Sequence, residues 1–129
     1  MKGVSIVIFI ILITLFFSFE IFQVEGTSMS PTIPPNSFIV VNKLSFGLHL
    51  PWSEKYVIRW QNPNPNEILL FSDPYSGALS IKRCKELTPY GVYLVGDLQS
   101  VSLDSRIFGS IPLDQVWGKV IITIPGKGP

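Results

Sequence analysis

"ALSIKRC", residues 78–84, places small and apolar side chains in alternation. Successive side chains of an extended strand point to opposite faces, so Ala78, Ser80, Lys82 and Cys84 share one face and Leu79, Ile81 and Arg83 the other. Four more runs read as strands: "SFIVVNKL" (37–44), "EILLFSD" (67–73), "GVYLVGD" (91–97) and "QVWGKVIITI" (115–124). Turn-forming segments separate them, among them "PPNS", "QNPNPN", "DPYSG", "LTPYG" and "FGSIP". Eleven prolines and ten glycines suit many tight turns. After residue 25 no helical period is long enough to compete, and no repeat or low-complexity block interrupts the pattern. The expected class is mostly β, a small folded sheet or barrel-like domain.

The N-terminal stretch, "MKGVSIVIFIILITLFFSFEIF" (1–22), follows another logic. From Gly3 to Phe22 its only clearly polar side chains are Ser5, Thr14, Ser18 and Glu20. An apolar helix of ~20 residues spans a hydrocarbon core of ~30 Å, and Ser and Thr can bond back to their own helix. A cleaved leader would have an apolar core of roughly 7–15 residues and a small-residue exit. This run is longer and leaves through the bulky "FSFEIFQVEG". The expectation is one N-terminal transmembrane signal-anchor helix over 1–22 and an extracytoplasmic β domain over 23–129. Lys2 precedes the apolar run and the next cation is Lys43, so the N-terminus should stay cytoplasmic in a single-pass cell-membrane protein. Phe46, Trp52 and Trp60 are candidates for the lipid interface.

Ten basic against nine acidic residues leave a net charge of +1, which offers no basic field for nucleic acid. Charged residues make up 15% of the chain against about 25% in ordinary soluble domains, in keeping with a membrane-associated protein. With Cys84 and His49 the only residues of their types, no internal disulfide and no Cys/His-rich metal site can form, and no cofactor or metal is expected.

A serine nucleophile needs a base. His49, in "GLHLPW", reads as a loop residue with nothing nearby to complete a triad. The other solution is a lysine held neutral by burial, since its ordinary pKa of ~10.4 leaves it charged at pH 7. Lys43, Lys55, Lys85 and Lys119 read as solvated. Lys82 stands apart, mid-strand among small residues, and reads either as an exposed strand lysine or as that special amine. Ser28 and Ser30, in "EGTSMSPTIPPNSF" (25–38), read either as loop serines or as hydroxyls for such an amine. "GDLQSVSLDSRIFG" (96–109) carries Asp104 and Arg106, two apart and able to pair, amid hydroxyls that suit a turn.

Taken together and in order, "GTSMSPTI", "SIKRC" and "GDLQSVSLDSRIFG" resemble the nucleophile, lysine and closing boxes of the type I signal peptidases. "VVNKLSFG", "EILLFSDP" and "QVWGKV" are similar to the family's intervening and final strands. The resemblance implies a Ser-Lys serine endopeptidase that removes signal peptides from secretory precursors after small residues, through an acyl-enzyme. It implies Ser28 as nucleophile and Lys82 as general base, with the Ser28 N–H at the oxyanion and Ser102 orienting the Lys82 amine. Asp97 would pair with Arg83 and Asp104 with Arg106 as supports, and Val24, Met29 and Ile81 would wall the substrate pockets. Partners would be precursor proteins, the lipid bilayer and secretion machinery.

The chain departs from the family pattern at several points. Leu98 stands where Asn is common, and Gly26 where some members add an oxyanion hydroxyl. Asn36-Ser37 and Asn66-Glu67 replace common Gly-Asp turns, and only the twelve residues 84–95 separate Arg83 from Gly96, so the β insertion of larger members is absent. Leu98 opens an alternative, a weak or inactive paralogue that binds signal sequences or assists a secretion complex. A specialised pilin-type processing peptidase would carry the same boxes.

Overall fold

The computed structural model describes residues 2–49, 53 and 55–126. In chain order the elements are helix α1 (Lys2–Ser18), strands β1 (Phe19–Gln23), β2 (Phe38–Asn42), β3 (Gly47–His49), β4 (Tyr56–Arg59), β5 (Ile68–Ser72), β6 (Leu79–Thr88) and β7 (Gly91–Val95), helix α2 (Ser105–Phe108), a 3-10 turn (Leu113–Gln115) and strand β8 (Val116–Ile124). Six strands form one sheet in the order β1-β2-β8-β5-β6-β7, every neighbouring pair antiparallel, and β3 and β4 form a separate hairpin. The mostly-β expectation holds, but the barrel-like one does not: β1 and β7 remain the two edges of an open sheet.

Two hydrophobic clusters form the core. Leu69, Phe71, Cys84, Val92, Leu94 and Val116 pack in one with Phe46 and Ile111. Leu70, Ile39, Val41 and Ile81 pack in the other with Val24, Met29 and Ile33. Consecutive β5 residues serve different clusters because a strand alternates its faces; Leu69, Leu70 and Phe71 are therefore all buried. Phe46, expected at a lipid interface, is 2% exposed and belongs to the core. Trp60 is exposed, and Trp52 lies outside the described residues.

The expected 1–22 helix is shorter than its apolar run. It ends at Ser18, and Phe19–Gln23 pairs with β2 in the register Phe19↔Asn42 to Gln23↔Phe38. Within a mainly apolar run, helix and strand carry much the same sequence signal, and the partner strand decides. Thr14 Oγ1 donates to the Ile10 carbonyl at 2.8 Å, bonding back to its own helix. Seventeen residues rise about 26 Å, short of a ~30 Å core; among the described residues, no helix is long and apolar enough to cross a membrane. The β3 and β4 strands went unanticipated, being only three and four residues long.

The two Asn turns explain themselves. Asn36 and Asn66 adopt φ of 66° and 76°, a left-handed conformation that Asn tolerates better than most residues after glycine.

Candidate active site

Lys82 lies on β6 opposite Leu69 of β5, one residue before the β6–β7 ladder begins at Arg83↔Val95. There β7 ends and the chain leaves through Gly96, opening a gap beside the Lys82 side chain. The loop between β1 and β2 enters it. Its neck is closed by Val24 N–H to the Ser37 carbonyl at 2.8 Å and Asn36 N–H to the Val24 carbonyl at 2.9 Å. Its tip is fastened by Leu98 N–H, which donates to the Ser28 carbonyl at 2.8 Å. A backbone group makes that tie, so Leu98 in place of Asn leaves it intact. Gly96 is required here: a Cβ would collide with Ser102 Oγ and lie 2.8 Å from the Ser28 carbonyl oxygen.

The result brings Ser28 Oγ to 2.8 Å from Lys82 Nζ, across 54 residues of sequence. Lys82 is 5% exposed. Burial pulls its pKa below the ordinary lysine value, against the opposing pull of the Asp104 and Asp73 carboxylates. Lys82 Nζ also reaches Ser80 Oγ on its own strand at 3.4 Å. Ser102 is differently engaged from expectation. Its hydroxyl donates to Asp104 Oδ2 at 2.8 Å, and among the described residues no hydrogen bond joins it to Lys82.

Asp104 is fully buried. Burial alone would raise its pKa, but Arg106, the Gly96 N–H, the Ser102 hydroxyl and the Arg106 N–H outweigh it and bring it down to about 2. It also caps α2, accepting from the Arg106 N–H. Arg106 returns a side-chain bond, Nε to Oδ1 at 2.9 Å, and reaches the Gln99 carbonyl at 2.8 Å. Arg83 grips Asp97 with two parallel bonds, Nε to Oδ1 at 2.8 Å and Nη2 to Oδ2 at 2.7 Å. Hydrogen bonding to Arg83 chiefly, and to Thr32 of the Ser28 loop, holds the Asp97 carboxyl below its usual value. Both Arg–Asp pairs expected from the sequence are thus assembled, on the strand and the loop that flank Lys82.

A cavity of about 280 Å³ opens beside Ser28. Val24, Met29 and Ile81 line it, joined by Phe22, Ile39 and Leu70, which the sequence did not single out. β1 and β6 stand four places apart in the sheet order yet share this cavity, so the sheet curls around it without closing. His49 lies elsewhere. It closes β3, stacks on Trp117 with ring centroids 4.3 Å apart, and its Nε2 meets the Asp114 carbonyl at 3.2 Å. Among the described residues no cluster of three or more His, Cys, Asp and Glu could hold a metal.

Comparison with known proteins gives this geometry a family. The chain is 36% identical over 103 residues to signal peptidase I of Pseudomonas fluorescens, covering 79% of this chain and 34% of that protein. It is 32% identical over 116 residues to signal peptidase I of Pseudomonas aeruginosa, covering 88% and 38%. Signal peptidase I of Bacillus caldolyticus is 28% identical over 142 residues, with 81% and 78% covered. The chain thus spans about a third of the length of the two Pseudomonas relatives, while the Bacillus protein is nearer its own size. The pattern of the family described as signal peptidase, peptidase S26, matches residues 1–87 and 76–124, which takes in the Ser28 loop, the Lys82 strand and the Asp104 loop. On that match and those identities, the chain belongs to the signal peptidase family, peptidase S26.

Proposed function

We propose that this chain is a membrane-attached serine endopeptidase that removes signal peptides from exported precursors after small residues. The observation that carries the reading is the 2.8 Å approach of Ser28 Oγ to an amine that is 5% exposed, at the wall of an apolar cavity. Burial favours the neutral amine, whose lone pair can accept a proton. Lys82 takes the Ser28 hydroxyl proton as Oγ bonds to the scissile carbonyl carbon. The Ser28 N–H donates to the oxyanion. The C–N bond then breaks and the proton passes from Lys82 to the leaving amine. Water attacks the resulting ester, Lys82 accepts its proton, and Ser28 regains a hydroxyl as the acid product leaves. Val24, Met29 and Ile81 restrict the cavity to small side chains, with the precursor extended along a strand edge.

Membrane attachment rests on two surfaces. Every apolar side chain of α1 from Val4 to Phe17 is exposed. The β1-β2-β8 end of the sheet adds a second: Ile21, Val40 and Ile122 lie in register across three strands, and Phe38 pairs with Ile124 beside them. Of these Ile21, Phe38, Ile122 and Ile124 are 44–68% exposed, an apolar face of the kind that meets lipid. We infer that α1 enters the bilayer with Lys2 on the cytoplasmic side and that the sheet lies against the outer surface. Local thinning of the bilayer accommodates a helix this short.

The test is cleavage of a precursor bearing an Ala-x-Ala site by the purified chain in detergent. Wild type cuts. Ser28→Ala and Lys82→Ala fold and lose on the order of 10³-fold or more in rate. Equal cutting by Lys82→Ala would overturn the proposal. Wild type that binds the precursor without cutting would favour a signal-binding paralogue.

A further inference from the structure

We propose that Ser80 is the positioning residue for the Lys82 amine, accepting an N–H from it along their common strand so that its lone pair faces Ser28. The inference rests on the Ser-Lys reading and adds a residue to it.

An uncharged primary amine has two N–H groups and one lone pair. When the lone pair receives the Ser28 proton, both N–H groups need acceptors, because a buried unsatisfied donor is costly. Lys82 has two hydrogen-bond partners among the described residues, Ser28 Oγ at 2.8 Å and Ser80 Oγ at 3.4 Å. With Ser28 as proton donor, Ser80 is the acceptor left. Ser102, the other nearby hydroxyl, donates to Asp104 Oδ2, and among the described residues no hydrogen bond joins its oxygen to Lys82.

The position of Ser80 is built into the sheet. Ser80 and Lys82 are two apart on β6 and therefore on one face. Both are held in register by β5, through Phe71↔Ser80 and Leu69↔Lys82. Their approach depends on no loop, whereas Ser28 and Ser102 both arrive on loops. Ser80 also lines the Ser28 cavity, so it stands where amine and substrate meet. As Lys82 gains its proton it becomes a stronger donor, and the same Ser80 oxygen accepts from it throughout the cycle.

The full-length chain is assayed in detergent on the Ala-x-Ala precursor. Ser80→Ala is expected to lower kcat about tenfold with KM within twofold, and Ser80→Thr, which keeps the hydroxyl, to restore most of the loss. A kcat within twofold of wild type for Ser80→Ala overturns the proposal. So does a Ser80→Thr as slow as Ser80→Ala, or a loss confined to KM, which would make Ser80 only a cavity wall. A second readout needs no turnover: the Lys82 amine is titrated by NMR on chain labelled with 15N-lysine. Removing an acceptor that favours the ammonium should move its midpoint to lower pH in Ser80→Ala, and an unmoved midpoint overturns the contact. Should wild type cut nothing while the midpoint still moves, the peptidase reading falls and the Ser80 contact stands.

Discussion

Lys82 works against the fold that holds it. Its ammonium is taken out of water, and burial lowers its pKa. Such a lysine destabilises the native state fully below its folded pKa, where the buried amine carries its charge. The penalty fades as pH rises from the folded pKa toward the ordinary value of ~10.4, where the unfolded chain also loses its proton. Lys82→Met removes the charge and keeps a long side chain at the same buried strand position, opposite Leu69. It should stabilise the chain by on the order of 1–2 kcal/mol at pH 7 while abolishing cleavage. Thermal melts against pH would check this. The gain should shrink at alkaline pH, and a variant less stable than wild type at pH 7 would mean that the amine contributes more by its bonds than it loses by burial.

The loop from Gly96 to Arg106 acts as one element because a single carboxylate organises it. Asp104 accepts from Gly96, Ser102 and Arg106. Its pKa is brought down to about 2 in the fold and is ~3.9 in an unfolded chain. A depressed carboxyl stabilises fully above the unfolded value and loses that contribution as pH falls through the folded one. Between about pH 4 and pH 2 the chain should therefore lose roughly 2 kcal/mol through this group alone. Asp104→Asn should be less stable at pH 7 and show a flatter acid limb in urea unfolding, and an unchanged limb would exclude Asp104 as its source. The Arg83–Asp97 fork plays the corresponding part on the other side of Lys82, joining β6 to the loop and, through Thr32, to the Ser28 segment. Two charged hubs thus hold two loops against one strand.

At the scale of the molecule, exposed apolar side chains run along α1 and continue onto one face of β1, β2 and β8. If that face meets lipid, a charge placed on it should weaken attachment without disturbing the core behind it. Ile21 and Ile122 both register with Val40 and are exposed, so Ile21→Asp with Ile122→Asp keeps the fold. The double variant is expected to clear precursor on lipid vesicles several-fold more slowly than wild type and to cut a short soluble peptide at the same rate. Equal loss on both substrates would point to a damaged sheet and remove the case for a lipid-facing surface.

Local pattern sufficed for much of this. Strand-like runs placed five of the strands, four of them to within two residues and β6 short by four at its C-terminal end, and alternation in "ALSIKRC" put Ser80 on the face of Lys82, because side-chain direction in a strand follows from spacing. Strand position singled out Lys82 and spacing suggested the Asp104–Arg106 pair, while the resemblance of three short boxes supplied Ser28 and the Arg83–Asp97 pair. Spacing could not tell α1 from β1 inside one apolar run, since that choice depends on β2 lying alongside. Nor could it separate a curled open sheet from a barrel, which turns on whether the edge strands β1 and β7 meet. The partner of Ser102 and the tie from Leu98 to Ser28 are likewise matters of which atoms converge once the loops are folded. Residues distant in sequence meet only through the packing of the whole chain, and it is that packing which sets a buried amine beside a hydroxyl 54 positions away.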